Sequence, residues 1–170
     1  MEFVAETDRL LLKVFEKSDL EASERFWGNP EVMNHSGGAT PLNVLPQVLE
    51  AYQKRYIEKR ISVFAVIEKT SGQVIGAAGF NTEDGLEKVE LLYHFAKASW
   101  GKGYATEAVH ACLELAVNHP LVETVCASAA PGNKASIRIL EKAGFRFTEM
   151  KFFEDTQQLE PVYEITAKMG

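Results

Sequence analysis

The sequence predicts a mixed α/β fold, with one mostly antiparallel sheet that contains a parallel pair and with helices on both faces. Three observations carry that expectation. Val89, Leu91, Tyr93 and Phe95 alternate with Glu90 and His94, the two-residue period of a strand over Lys88–Phe95. After Gly103 the period changes, and Ala105, Ala108, Val109, Cys112, Leu115 and Ala116 recur at three- and four-residue steps, an apolar stripe along a helix. Val122-Glu-Thr-Val-Cys-Ala127 then reads as another strand, and the order strand, helix, strand implies a parallel pair joined by a right-handed crossover.

The remaining elements follow in chain order. Arg9–Phe15 is predicted to be the first strand, and Ser18 or Asp19 to cap a helix through about Phe26, where Gly28-Asn29-Pro30 breaks it. Pro30–Met33 starts a further helical turn, and His35–Pro41 is loop by its glycine and proline content. Thr40 or Asn43 caps a helix to about Lys59, with Pro46 near its beginning, where a missing N–H is least harmful. Ser62–Ile67 and Gln73–Phe80 form an antiparallel hairpin around Ser71-Gly72, and an Asp84-Gly85 turn leads into the Lys88 strand. Pro131-Gly132-Asn133 opens a last helix, with Ser136, Ile139, Leu140 and Ala143 on one face and Gly144 just past its end. Phe145–Phe152 and Pro161–Lys168 make a closing hairpin.

A chain of 170 residues fits one domain, and 46% apolar with 25% charged residues is the composition of a globule able to bury a core. The net charge of −6 and pI near 5.3 argue against a dedicated nucleic-acid binder and favour a cationic partner. The N-terminus lacks a basic region followed by a long apolar one, and no apolar run approaches the ~20 residues of a membrane span, so a cytoplasmic location is expected. Cys112 and Cys126 sit in apolar patterns without metal-ligand spacing and read as small buried hydrophobes in a reducing compartment. His110 and Glu114 share a polar helix side with Glu107, which reads as a solvated face; no metal is expected.

The chemistry concentrates between strand and helix. Gly101-Lys102-Gly103 lets backbone N–H groups converge without Cβ crowding, and the unpaired N–H groups and dipole of the following helix add partial positive charge, which suits a phosphate. A Walker loop is excluded because Gly103, and no Ser or Thr, follows Lys102. A dinucleotide fingerprint lacks its third glycine at Thr106, although Glu123 lies near the ~20-residue spacing of a ribose acid. Trp100-Gly-Lys-Gly103-Tyr-Ala105 resembles the acyl-CoA pyrophosphate loop of the GNAT superfamily of N-acetyltransferases, whose pattern is Gln/Arg-x-x-Gly-x-Gly/Ala; Trp100 departs from its first residue. The longer string Trp-Gly-Lys-Gly-Tyr-Ala-Thr-Glu-Ala is similar to the branch that includes the ribosomal-protein N-terminal acetyltransferases, RimJ- and RimL-like, where tryptophan is common at that place. Thr7-Asp8-Arg9-Leu10 resembles the opening of that branch, and the order of elements matches the acyl-CoA N-acyltransferase fold, a sheet splayed at its middle, over nearly the whole chain.

The resemblance implies that acetyl-CoA is the co-substrate. Backbone groups near Tyr93 to Phe95 would pair with the pantetheine arm, while N–H groups of Gly101, Lys102, Gly103, Tyr104 and Ala105 would hold the pyrophosphate, with Trp100 beside them in the cofactor loop and the Lys102 ammonium either on a phosphate or in water. Asn133-Lys-Ala-Ser136, ending in Gly144-Phe145, resembles the second cofactor motif; Asn133 would bond the pantetheine arm and Ser136 would lie beside it, and Asn133 is also a sound helix cap. Leu140 stands where many relatives carry a tyrosine that protonates the leaving thiolate, which leaves Ser136 or water for that role. For the base, Glu90 lies near the place of a catalytic glutamate in some relatives, with pairing to Lys88 as its structural alternative; His94 shares its strand face, and ordered water is the third route. The implied reaction is direct acetyl transfer to a primary amine: a peptide N-terminus, an amino acid derivative or a polyamine. The acceptor pocket is expected where the Lys88 and Val122 strands diverge, roofed by the Trp27 to Pro46 region and by the Phe152 to Pro161 loop with Glu154, Asp155 and Glu160. Rival readings are an acyl-CoA-binding module without turnover and a nicotinamide-binding protein using the Gly101 turn. The assembly is expected to be a monomer or homodimer, with no nucleic-acid or membrane partner.

Overall fold

A computed structural model describes residues 1–83 and 85–168. Its eight strands form one sheet: β1 (Phe3–Glu6), β2 (Leu10–Lys13), β3 (Val63–Glu68), β4 (Gln73–Asn81), β5 (Lys88–Phe95), β6 (Thr124–Ser128), β7 (Arg146–Phe153) and β8 (Gln158–Thr166), in the order β1-β2-β3-β4-β5-β6-β8-β7. Of the neighbouring pairs only β5 and β6 run parallel. Four helices accompany them: α1 (Leu20–Glu24), α2 (Leu45–Lys59), α3 (Tyr104–Asn118) and α4 (Lys134–Lys142).

Alternation along the strands divides the apolar residues between two cores. On one face Val89, Leu91 and Phe95 of β5 pack with Val66, Phe80 and Val125 against Ala108, Val109, Cys112 and Ala116 of α3 and Leu140 of α4. On the other face Val63, Ala65 and Ala77 pack under Phe15, Phe26, Trp27, Met33, Leu45 and Leu49, which belong to α1, α2 and the segment between them. Glu90 and His94 therefore look toward the second core, and Tyr93 toward the first.

Several expectations need correction. The first strand is β1, which the sequence reading left unassigned; it is a short edge strand whose pairing with β2 is irregular. Asp19 does not cap α1 through its side chain. Its Oδ2 instead accepts from buried Lys13 Nζ at 2.5 Å and from the Glu16 N–H at 2.8 Å, because a buried ammonium must be paired. Neither Thr40 nor Asn43 caps α2, which starts after Val44 with Pro46 in its first turn. Cys126 is half-buried, and Glu107 is engaged by side chains from the start of the chain, so its helix face is not simply solvated. Asp84, half of the expected Asp84-Gly85 turn, lies outside the described residues. Gly144 follows α4 with φ +100°, as a helix-terminating glycine requires.

Candidate active site

The β5–α3 connection is held from outside. Gly101 and Gly103 adopt φ of +76° and +81°, and Gly103 is the N-cap residue of α3 with no side-chain cap. The first helical bond runs from the Glu107 N–H to the Gly103 carbonyl, so the N–H groups of Tyr104, Ala105 and Thr106 precede any partner within the helix. Arg9 fastens this turn: its Nη1 donates to the Lys102 carbonyl at 2.8 Å and its Nε to Glu107 Oε1 at 2.8 Å, while the Arg9 N–H and the Thr7 hydroxyl bind Glu107 Oε2. Burial pushes the Glu107 carboxyl up, but the hydrogen bonds from Thr7 and Arg9 outweigh it and hold the group below the usual carboxylate range. The Arg9 guanidinium also lies 4.5 Å from the Tyr104 ring centre, and the Tyr104 hydroxyl donates to Glu68 Oε2 at 2.7 Å. The Tyr104 side chain is thus structural, and its main-chain N–H is one of those that precede the helical ladder. Lys102 is exposed. Sequence reasoning noted Thr7-Asp8-Arg9-Leu10 but not its function, which is to brace the glycine turn.

β5 and β6 separate early. Their pairing covers only Lys88↔Thr124, Val89↔Val125 and Glu90↔Cys126, after which β5 continues to Phe95 without β6 beside it. The Ala96 N–H bonds the Ile75 carbonyl across the Phe95↔Gly76 pair, so in this antiparallel ladder the main-chain N–H and C=O groups of Tyr93 and Phe95 turn away from β4 and toward the gap. An extended molecule with amide groups fits such an edge as an added strand. The Phe95 carbonyl already accepts from Trp100 Nε1 at 2.8 Å, which assigns the Trp100 indole to the wall of the gap.

From the far side, α4 contributes its first turn. Asn133 caps it, with Oδ1 accepting from the Ser136 N–H at 3.2 Å. Ser136 Oγ lies 2.6 Å from the Tyr93 hydroxyl, a bond that crosses from α4 to β5. Burial raises the Tyr93 phenol above its ordinary value, and the bond to Ser136 opposes that in part. Sequence reasoning assigned Tyr93 through its backbone and missed its phenol; the signal was its shared face with Leu91 and Phe95, directed at the helices. Leu140 is fully buried in the core, so nothing from that position reaches the gap. Burial pushes the Cys112 thiol up to about 12, which removes it as a nucleophile.

The opposite face holds Glu90 and His94. Trp27 Nε1 donates to His94 Nδ1 at 3.2 Å, so the ring proton resides on Nε2, 3.1 Å from Ser36 Oγ. Burial pushes His94 down to about 4, and the ring is neutral near pH 7. With both nitrogens engaged, His94 acts as a strut for the segment above it. That segment also meets the loops beyond: a Cβ on Gly37 would lie 3.5 Å from Asp155 Cβ, and one on Gly132 would lie 3.7 Å from His35 Cε1. Lys97 Nζ anchors it through Glu31 Oε2 at 2.5 Å. Residues 31–37 therefore bridge the end of β5, the turn before α4 and the β7–β8 loop. Beside that loop, near the start of β8, Glu160 is buried and accepts from Thr156 Oγ1 at 2.6 Å and Gln158 Nε2 at 3.2 Å, while Glu154 and Asp155 of the loop are exposed. Glu90 sits half-buried with Asn81 Nδ2 at 3.4 Å, in a cavity of about 50 Å³ lined by Asn81, Glu83, Lys88 and Glu90.

A braced glycine turn at a helix start, a parallel pair that parts beside it and a strand edge left open are the features of a class of protein suited to an extended ligand with amide groups and a phosphate. Comparison with known proteins gives the family. Residues 9–146 match the model described as an acetyltransferase (GNAT) domain, and the chain belongs to that family as an acetyl-CoA-dependent N-acetyltransferase. Among similar sequences is the protein YkkB of Bacillus subtilis (strain 168), 30% identical over 84% of this chain and 85% of that one. Among solved structures, a GNAT-family acetyltransferase from Bacillus anthracis superposes with a TM-score of 0.84 at 24% identity, covering 97% of this chain and 98% of that one. The acetyltransferase of Salmonella typhimurium that modifies the N-terminal serine of ribosomal protein L7/L12 superposes at 0.82 with 11% identity, covering 97% and 99%; these two likenesses concern the fold.

Proposed function

We propose that this enzyme transfers the acetyl group directly from acetyl-CoA, seated between β5 and β6, to a cationic primary amine that enters from the Glu90 face. The observation that carries the reading is the gap after Glu90↔Cys126, which opens onto Glu90 on one sheet face and onto Tyr93 and Ser136 on the other. Main-chain N–H groups from Gly101 to Ala105 receive the diphosphate, and the freed edge of Tyr93 and Phe95 receives the pantetheine amides. Glu90 accepts the proton that the ammonium must lose before its nitrogen can attack. The Tyr93 hydroxyl, held by Ser136, donates toward the departing sulfur and fills the role that Leu140 vacates. No acyl-enzyme is needed. The overall negative charge, the Glu83 and Glu90 carboxylates and exposed Glu154 and Asp155 favour a cation as acceptor, and a peptide N-terminus fits the fold likeness to the L7/L12 enzyme.

The test is a thiol-release assay with acetyl-CoA against a peptide with a free N-terminus, an amino acid amide and a polyamine. Turnover on at least one of them, reduced about 100-fold in kcat by Glu90→Gln with acetyl-CoA affinity unchanged, is the expected result. Loss of affinity in place of kcat, or full activity, removes Glu90 as the base.

A further inference from the structure

β7 is the outermost strand of the sheet, and its pairing with β8 contains an irregularity. Phe147 stands opposite Tyr163; the ladder then skips Thr148, so that Glu149 meets Val162, Met150 meets Pro161, Lys151 meets Glu160 and Phe152 meets Leu159. Cross-strand partners share a face, and Tyr163, Pro161 and Leu159 alternate along β8 on one face. Phe147 and Met150, three apart, would lie on opposite faces of a regular strand. The extra residue brings Phe147 onto the same face as Met150 and Phe152. Phe147, Met150, Phe152 and Leu159 are 56%, 50%, 53% and 55% exposed. That is a contiguous apolar stripe on the order of 400 Å², as large as the biggest patch on a typical monomer, and it borders a strand edge.

We propose that this edge is a homodimer interface in which β7 pairs antiparallel with β7 of a second copy, about a two-fold axis at Met150. The charges select the register. With the axis at Met150, Glu149 of each copy lies opposite Lys151 of the other; an axis at Lys151 sets two ammonium groups together, and one at Glu149 two carboxylates. The same axis joins the two apolar stripes across the seam and lets the open edge of each sheet pair with the other. The inference rests on the sheet edge alone and is independent of the reaction proposed above.

Sedimentation of the full chain across a dilution series tests it. The expected result is a particle of twice 18.9 kDa that dissociates on dilution. Met150→Lys brings two buried charges together and raises the dimer dissociation constant at least about 100-fold, while circular dichroism and acetyl-CoA binding show the fold intact. Glu149→Lys weakens the dimer, and adding Lys151→Glu in the same chain restores it. A wild-type particle of 18.9 kDa at every concentration overturns the proposal, as does a dimer indifferent to both Met150→Lys and Glu149→Lys. A monomer that co-sediments with lipid vesicles assigns the stripe to a membrane and overturns it too. Failure of the double variant to restore association overturns the Met150 register.

Discussion

On the α3 side of β5 the site is made mostly of main-chain groups set by one local turn, with the Tyr93–Ser136 hydroxyl pair added from β5 and α4, whereas on the opposite side it is made of side chains from Trp27, Ser36, Asn81 and Glu90, spread along the sequence. The two sides also differ in what supports them. Arg9 and Glu107 brace the turn from outside, at no cost to the groups that face the gap. On the Glu90 side the groups lining the face are themselves the support, since the His94 ring both fills the face and carries residues 31–37. The two sides are therefore supported separately, and each can be perturbed with the other left in place.

The sharpest way to break this comparison is to damage the turn alone. Gly103 sits at φ +81°, where a β-branched residue is a backbone outlier, and a Cβ there would stand 3.3 Å from Arg9 Nη2. Gly103→Val is expected to weaken acetyl-CoA binding at least about 100-fold by calorimetry, roughly 3 kcal/mol, with the Trp27–His94 side undisturbed. Unchanged affinity would mean that the diphosphate is gripped elsewhere.

The second prediction concerns the other side and reads stability. Native His94 titrates at about 4, against ~6.5 for the unfolded residue. Between those values the unfolded chain binds a proton that the native protein refuses, so stability rises with pH across the interval. The contribution is complete above about pH 6.5, is lost as pH falls toward about 4, and amounts to at most about 3 kcal/mol. His94→Gln is expected to flatten that part of the stability profile in urea unfolding. Carboxylates with lowered values, such as Glu16 and Glu107, lose their contribution at lower pH in both proteins, so the difference between the two profiles isolates the histidine. A profile with the same slope would show that the ring is not held neutral by its surroundings.

The same contrast explains what could be read in advance. The β5–α3 unit was legible because a two-residue period gives way to a 3.6-residue period across Gly101 and Gly103, all within neighbouring residues. The helix starts were less so: Asp19, Thr40 and Asn43 all suit a cap by residue type, but Asp19 is claimed by a buried lysine, and α2 starts after Val44 with Pro46 in its first turn. β1 was invisible because four residues carry too little periodicity, and its existence depends on the β2 edge. Glu90 and His94 could be placed on one face by counting. The Trp27 bond that fixes the His94 tautomer joins residues 67 apart and has no local signature. Tyr93 was the instructive miss, since counting placed it correctly but nothing in sequence announced Ser136 across the gap.

That bond yields the smallest expected effect and the finest test. A phenol raised by burial keeps its proton at neutral pH and can donate to a developing thiolate, but full transfer to a sulfur of ordinary pKa near 8.5 runs uphill from a phenol above ~10. Hydrogen bonding in place of complete protonation is then its contribution, which corresponds to about tenfold in kcat, near 1.4 kcal/mol. Tyr93→Phe is expected to lose that factor in single-turnover kinetics while acetyl-CoA affinity holds, because the main-chain groups that face the gap remain. Ser136→Ala should lose a similar factor, and the double variant little more, since the two hydroxyls act as one unit across 2.6 Å. Additive losses would separate them into independent roles. No loss from either would give the sulfur's proton to water, and the α3 side of the strand would then bind without taking part in the chemistry.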